Sequence, residues 1–305
     1  LVNKIDMSVD LNGLVLNNPV TVASGTFGFG REYGEYIDLN KIGAIAVKGL
    51  TLEERQGNPT PRVVETPMGM LNSVGLQNPG VDYFIKEELP YLSSYDTKII
   101  ANINGNTIYE YCKLAEKLSN TAVDALELNI SCPNVKEGGV AFGRDPDMVY
   151  KVTKKVKENT DKYLIVKLSP NVADIKEIGA SAESGGANCL SLINTLIGMG
   201  IDIEKQKPIL ARGIGGLSGP AVKPVAVRMV YEVSKAVNIP IIGMGGIMNY
   251  QDAVEFFLAG AWTVAVGTAN FVNPMVSIEI LEGIEEYLKR KGYSSIKALV
   301  GQLKF

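Results

Sequence analysis

The chain of 305 residues contains no histidine. Any general base working near neutral pH must therefore be a cysteine, carboxylate, lysine or tyrosine with a shifted pKa. It has three cysteines, at 112, 132 and 189, and no CxxC pair. A zinc site or an iron–sulfur cluster built from this chain alone is not expected, and no metal is assigned. No uninterrupted apolar run approaches the ~18 residues needed to span a bilayer. The opening residues Leu1 to Asp6 lack the charged-then-apolar layout of a signal peptide, so a cytoplasmic protein is the expectation. Neither charge sign dominates: 30 basic residues stand against 33 acidic ones, a net charge of −3, with no basic arm or like-charge run. Nucleic acid and membrane surfaces are thereby set aside as partners.

What is present is a hydrophobic content of 46%, enough for a sizeable core, at a length ordinary for an α/β barrel. Residues 7–16 alternate around Asn12-Gly13, a hairpin signal, and are expected to cap the closed end of the fold. Eight apolar runs follow, at residues 19–25, 43–49, 98–105, 125–131, 163–169, 189–195, 240–246 and 263–268. Segments of helical period separate them, among them 108–118, 146–159, 174–184, 222–237 and 250–259. Eight strands alternating with helices predict a (β/α)8 TIM barrel, with a doubly wound open sheet as the competing topology. No repeat or linker interrupts the pattern, and one domain over residues 1–305 is expected. Two connections, 51–79 and 196–223, exceed simple turns and should lie as long loops over the C-terminal face.

The strand ends carry the chemistry. They offer Ser24-Gly25, Lys48-Gly49, Asn102 with Asn104, Asn129 with Cys132, Lys167, Asn194-Thr195, Gly245-Gly246 and Gly267-Thr268, in chain order. In such barrels, sites are built at these ends, and glycines on strands seven and eight suit a phosphate. Lys48 and Lys167 stand in apolar strands, so each must face the site or pair with an acid. Two cations among amides suit an electron-rich, partly anionic ring. Cys112 reads as a small core residue of a helix. Cys189 opens strand six, at the far end from the site, and should be inert. Cys132 alone is at the active end.

Three segments carry a family resemblance: Asn129-Ile-Ser-Cys-Pro-Asn134, Asn72-Ser-Val-Gly-Leu-Gln-Asn-Pro-Gly80, and the run from Val47-Lys-Gly to Pro-Thr-Pro-Arg62; a fourth, Pro240-Ile-Ile-Gly-Met-Gly-Gly-Ile247, is shared more widely among FMN barrels. With them the sequence resembles class 1 dihydroorotate dehydrogenases over nearly its whole length. Glu65-Thr-Pro-Met-Gly-Met-Leu-Asn72 is similar to the 1B subclass, the FMN subunit of a heterotetramer. The resemblance implies oxidation of dihydroorotate to orotate in pyrimidine biosynthesis, with one FMN per chain. It also implies a homodimer core with two partner subunits, each carrying FAD and a [2Fe–2S] cluster and passing electrons to NAD+. Alternatives are a class 1A, fumarate-linked enzyme, a related FMN-dependent pyrimidine dehydrogenase, a Schiff-base aldolase using Lys167, or a barrel kept as a scaffold.

By the family motif Cys132 removes the C5 proton while hydride leaves C6 for flavin N5. A free thiol of pKa ~8.5 is only a few per cent thiolate at neutral pH, and Lys48 is the expected source of a field that raises the fraction. Substrate positions by resemblance are Lys48, Asn72, Ser73, Val74, Gly75, Leu76, Asn129, Asn134, Asn194 and Thr195. Cofactor positions are Ser24, Lys48, Gly49, Asn102, Asn129, Lys167, Ile193, Gly219, Gly245, Gly246, Gly267 and Thr268. Lys167 would stabilise negative charge at the flavin N1/O2 edge. The glycine-bearing loop 135–145 is predicted to be a mobile lid over the substrate.

Overall fold

The computed structural model describes residues 5–130 and 142–305. Eight parallel strands close into a barrel: β1 (Val20–Val22), β2 (Ala44–Ala46), β3 (Lys98–Ile103), β4 (Ala125–Asn129), β5 (Tyr163–Lys167), β6 (Cys189–Leu192), β7 (Ile241–Met244) and β8 (Thr263–Val266). Neighbours follow chain order, and β8 closes on β1 with Ala265 opposite Thr21. The open doubly wound sheet is thereby ruled out. Almost every strand residue is buried, because barrel strands pack side chains inward and helices outward. That is why these segments read as continuous apolar runs. The ladders are shorter than the runs. In each, the last residues leave the ladder at the C-terminal end, where their polar groups need no strand partner.

Helix starts follow from local side chains. Thr107 Oγ accepts from the Glu110 N–H at 3.2 Å while the Glu110 carboxylate accepts from the Asn106 N–H at 2.7 Å, opening Ile108–Ser119. Asp145 accepts from the Met148 N–H at 3.0 Å and opens Pro146–Lys157. Gly260 (φ +114°) ends Tyr250–Ala259 in the left-handed conformation.

The N-terminal hairpin pairs Val9–Asp10 with Val15–Leu16. The Tyr163 hydroxyl, at the N-terminal end of β5, donates to the Leu11 carbonyl, so the hairpin sits over the closed face as its sequence suggested.

The two long connections differ from expectation. They are not loops. Val63–Thr66, Gly69–Asn72, Ile214–Ser218 and Leu196–Met199 form one antiparallel four-stranded sheet, in which Asn72 lies opposite Gly216 and Leu196 opposite Leu217. Glycines at 198, 215 and 216 hide the alternation a strand reading needs. Strand Ile214–Ser218 also pairs with Gly69–Asn72, well over a hundred residues away in sequence. Among the described residues no helix is long and apolar enough to cross a membrane.

Candidate active site

A cavity of about 970 Å³ opens at the C-terminal ends of the strands, roofed in part by the antiparallel sheet. Its floor is polar. Lys167, the last residue of β5, is 5% exposed; its ammonium donates to Ser24 Oγ at 3.3 Å and lies 3.8 Å from Glu127 Oε2. Asn102 donates through Nδ2 to Glu127, and Asn104 donates through Nδ2 to Asn102 Oδ1 at 2.8 Å. Gly49 is pressed against this pair: a Cβ there would stand 2.4 Å from Asn104 Nδ2. Lys167 thus does both things its strand context allowed, facing the cavity and meeting an acid.

Lys48, just past β2, also lines the cavity. Burial, and then the positive charge of Arg62, hold its pKa below the ordinary lysine value of 10.5. Arg62 is itself fixed by the Asn58 carbonyl at 3.3 Å and by the Gln77 side chain.

One wall is amide-rich. Asn194 donates through Nδ2 to Asn129 Oδ1 at 3.3 Å and accepts from the Thr195 N–H at 2.8 Å. The Tyr111 hydroxyl donates to the Asn129 carbonyl at 2.7 Å. Gly216 brings the roof down onto this wall, since a Cβ there would lie 2.1 Å from Thr195 Oγ1. Opposite, the segment from Asn72 to Leu76 is held by backbone bonds: the Ser73 N–H donates to the Arg62 carbonyl at 2.8 Å and the Asn58 N–H to the Val74 carbonyl at 2.9 Å. Gly75 (φ +78°) and Leu76 (φ +57°) turn it, and the buried Asn78 side chain ties the Leu76 carbonyl at 2.7 Å. Ser73 Oγ is buried without a hydrogen-bond partner among the described residues.

The third wall is glycine. Gly245 and Gly246 follow β7, Gly267 and Thr268 follow β8, and Gly219 precedes the helical turn Pro220–Val222. Gly246 has φ +78°, and its Cβ would fall 2.8 Å from the Gly219 carbonyl oxygen and 2.9 Å from the Lys223 nitrogen. Gly246→Ala is therefore expected to cost about 1–3 kcal/mol, read as a lower denaturant midpoint at unchanged slope. Thr268 Oγ1 donates to Ser218 Oγ at 2.8 Å, linking β8 to the roof sheet. Ile193, after β6, completes an apolar shelf with Met244.

Every sequence-predicted site residue that is described lines this one cavity. Cys132 and Asn134 lie outside the described residues, as does most of the predicted lid, 135–141. The last residues of the predicted segment, from 142, are described. Phe142 is fully buried, edge-on to Tyr111 at 5.9 Å, in the helical turn Phe142–Arg144. Sequence reasoning passed over other cavity residues: Arg55, Asn58, Arg144, Asn171, Arg212 and Ser218. Arg55 and Asn58 stand inside a quoted motif, and Asn171 follows β5 by four residues, so strand-end logic could have reached them. Arg212 sits in a glycine-rich stretch with no period to mark it. Cys112 and Cys189 lie away from the cavity, and burial pushes both thiols up.

A closed (β/α)8 barrel with two lysines and several amides lining a cavity at its C-terminal strand ends is the architecture of a barrel enzyme. The family described as dihydroorotate dehydrogenase matches residues 6–288. Relatives include proteins named dihydroorotate dehydrogenase B (NAD(+)), catalytic subunit. One from Alkaliphilus metalliredigens is 60% identical over 300 residues, covering 98% of this chain and 99% of the relative. One from Alkaliphilus oremlandii is 59% identical over 298 residues, with the same coverage. One from Thermoanaerobacter pseudethanolicus is 56% identical over 300 residues, again with the same coverage. The chain belongs to the dihydroorotate dehydrogenase family.

Proposed function

We propose that this chain is the catalytic subunit of an NAD+-linked dihydroorotate dehydrogenase, oxidising dihydroorotate to orotate in pyrimidine biosynthesis. One observation carries the reading. Lys48, Lys167 and the amides of Asn102, Asn129 and Asn194 line a single cavity, in a chain 60% identical to a protein named for that activity. The class 1A alternative is disfavoured because the relatives are named for the B type.

The cavity residues fit a flavin mononucleotide. Gly219, Gly245 and Gly246 let backbone come close where side chains would collide, beside Gly267 and Thr268, as a phosphate requires. Ile193 and Met244 give a ring an apolar face. Ser24, Lys48, Gly49, Asn102, Asn129 and Lys167 give its polar edge donors and positive charge. When bound, the flavin supplies the acceptor for the hydride that leaves substrate C6. The chain's own residues do the rest. Asn72, Ser73, Val74, Gly75 and Leu76 bound the substrate space on one side, with Asn129, Asn194 and Thr195 on the other. Asn134 adds a further amide. The Lys48 ammonium neutralises the substrate carboxylate. Cys132 takes the C5 proton, and Ile130 and Gly143, on either side of it in sequence, line the cavity. FAD and a [2Fe–2S] cluster belong to a partner subunit, two of which flank a homodimer of this chain. The assembly is cytoplasmic, and this chain enters it as a single-domain barrel.

The test is an anaerobic visible spectrum before and after addition of dihydroorotate. A yellow protein that bleaches is expected. A yellow protein that stays yellow discards the substrate, and one that cannot take up flavin discards the enzyme.

A pH dependence follows from Lys48. Its charged form binds the carboxylate, and its pKa is held below 10.5 by burial and by Arg62. Orotate affinity should therefore fall as pH rises, and the fall should begin at a lower pH than an ordinary lysine would give, because the protonated fraction is lost below 10.5. Lys48→Arg keeps its charge and should flatten that fall; parallel pH profiles for the two proteins would remove Lys48 from the carboxylate site.

A further inference from the structure

Glu127 is a charge buried inside the barrel that no part of the proposed reaction uses. It is 2% exposed and stands two residues before Asn129 on β4, so it faces the barrel interior one layer below the cavity and does not line it. Three strands supply its partners. Ser191 Oγ of β6 donates to Oε1 at 2.7 Å, Asn102 Nδ2 of β3 donates to Oε2, and the Lys167 ammonium of β5 lies 3.8 Å from Oε2. An apolar side chain would fill this space without the cost of desolvating a carboxylate. A buried acid with donors gathered from three strands matters through what it does to them.

It does two things. A carboxylate only accepts, so Asn102 must present Nδ2 to it and turn Oδ1 towards Asn104, whose Nδ2 donates at 2.8 Å. The direction of both cavity-lining amides is thereby set from below. The carboxylate also offsets the Lys167 charge, drawing the ammonium towards the floor while it keeps its bond to Ser24. We propose that Glu127 is a positioning residue that sets the reduction potential of the bound flavin, by holding Lys167 and partly cancelling its charge. This rests on the flavin reading above.

The experiment is the flavin midpoint potential of the flavin-loaded chain, measured against a reference dye without substrate. Glu127→Gln keeps the shape and removes the negative charge, so Lys167 acts on the flavin uncompensated and reduction becomes easier. At the wild-type midpoint the ratio of reduced to oxidised flavin should rise about tenfold, equivalent to about +30 mV for a two-electron couple. Glu127→Asp keeps the charge and should stay within about threefold of wild type in that ratio. An unshifted Glu127→Gln protein overturns the proposal, and so does a Glu127→Asp protein that shifts as far as the Gln variant. Should Glu127→Gln fail to fold, Ser191→Ala decides. It removes one donor and leaves the carboxylate to act more strongly on Lys167, so the ratio should move towards oxidised flavin; no movement overturns the proposal. A wild-type chain that takes up no flavin overturns the flavin reading itself, whereas a flavin-loaded wild type with unshifted variants overturns only the role of Glu127.

Discussion

Cys132→Ala should leave a yellow protein that binds orotate as wild type does but is reduced by dihydroorotate about 10³-fold more slowly, the usual contribution of a positioned general base. The effect should be large because the chain has no substitute. It contains no histidine. Its other thiols lie away from the cavity, and burial pushes both up, Cys112 in its helix and Cys189 at the start of β6. A thiolate at either place is less available than in water, not more. Lys48 lines the cavity, but an ammonium that neutralises a carboxylate is poorly suited to accept a proton. Anaerobic stopped-flow reduction measures the rate, and the unchanged spectrum and orotate titration show that the site survives. A Cys132→Ala rate within about threefold of wild type would move the proton to another group and remove the basis for the assignment.

Lys167→Met should cost about 3 kcal/mol of stability as well as slowing hydride transfer by about 10²-fold. Methionine fills similar space, so packing is nearly conserved. What is lost is the cation 3.8 Å from Glu127, a carboxylate 2% exposed that cannot reach water. Ser191 and Asn102 still donate to it, which is why the lower end of the range for a broken buried pair applies. The Lys167→Met/Glu127→Gln double variant should recover part of the stability, because the orphaned charge is gone, and none of the hydride-transfer rate. Urea midpoints for the two single variants and the double variant measure the coupling. Strictly additive losses would mean that the two groups do not interact across the barrel interior.

The barrel was legible in the sequence because buried parallel strands write themselves as short apolar runs, and eight of those runs are present. Their C-terminal ends were legible too. A lysine or asparagine breaking an apolar run has nowhere to go except into a site or onto a partner, and Lys48, Asn102, Asn129, Lys167 and Asn194 all line the cavity. Glu127 was not singled out, although it shares a strand face with Asn129. Within one strand its period says only that it points inward. Its partners Ser191, Asn102 and Lys167 come from three other strands, and the sequence does not state that they meet there.

The roof shows the same limit more strongly. Its strand Ile214–Ser218 holds two glycines in five residues, and Gly216 can approach Thr195 only because it lacks a side chain. Such a strand has no local alternation to read, and its pairing with Gly69–Asn72 spans well over a hundred residues. Sequence alone therefore determined the barrel, which end of it carries the cavity, the lack of any histidine base and the family. Only the tertiary structure decided that the two long connections fold together as a sheet over the cavity, that Phe142 is buried edge-on to Tyr111, and that Lys167 serves the cavity and Glu127 at once. The division has one physical cause. Periodicity and residue type are properties of a segment, whereas strand pairing between distant segments and the sharing of a buried charge are properties of the distances between them.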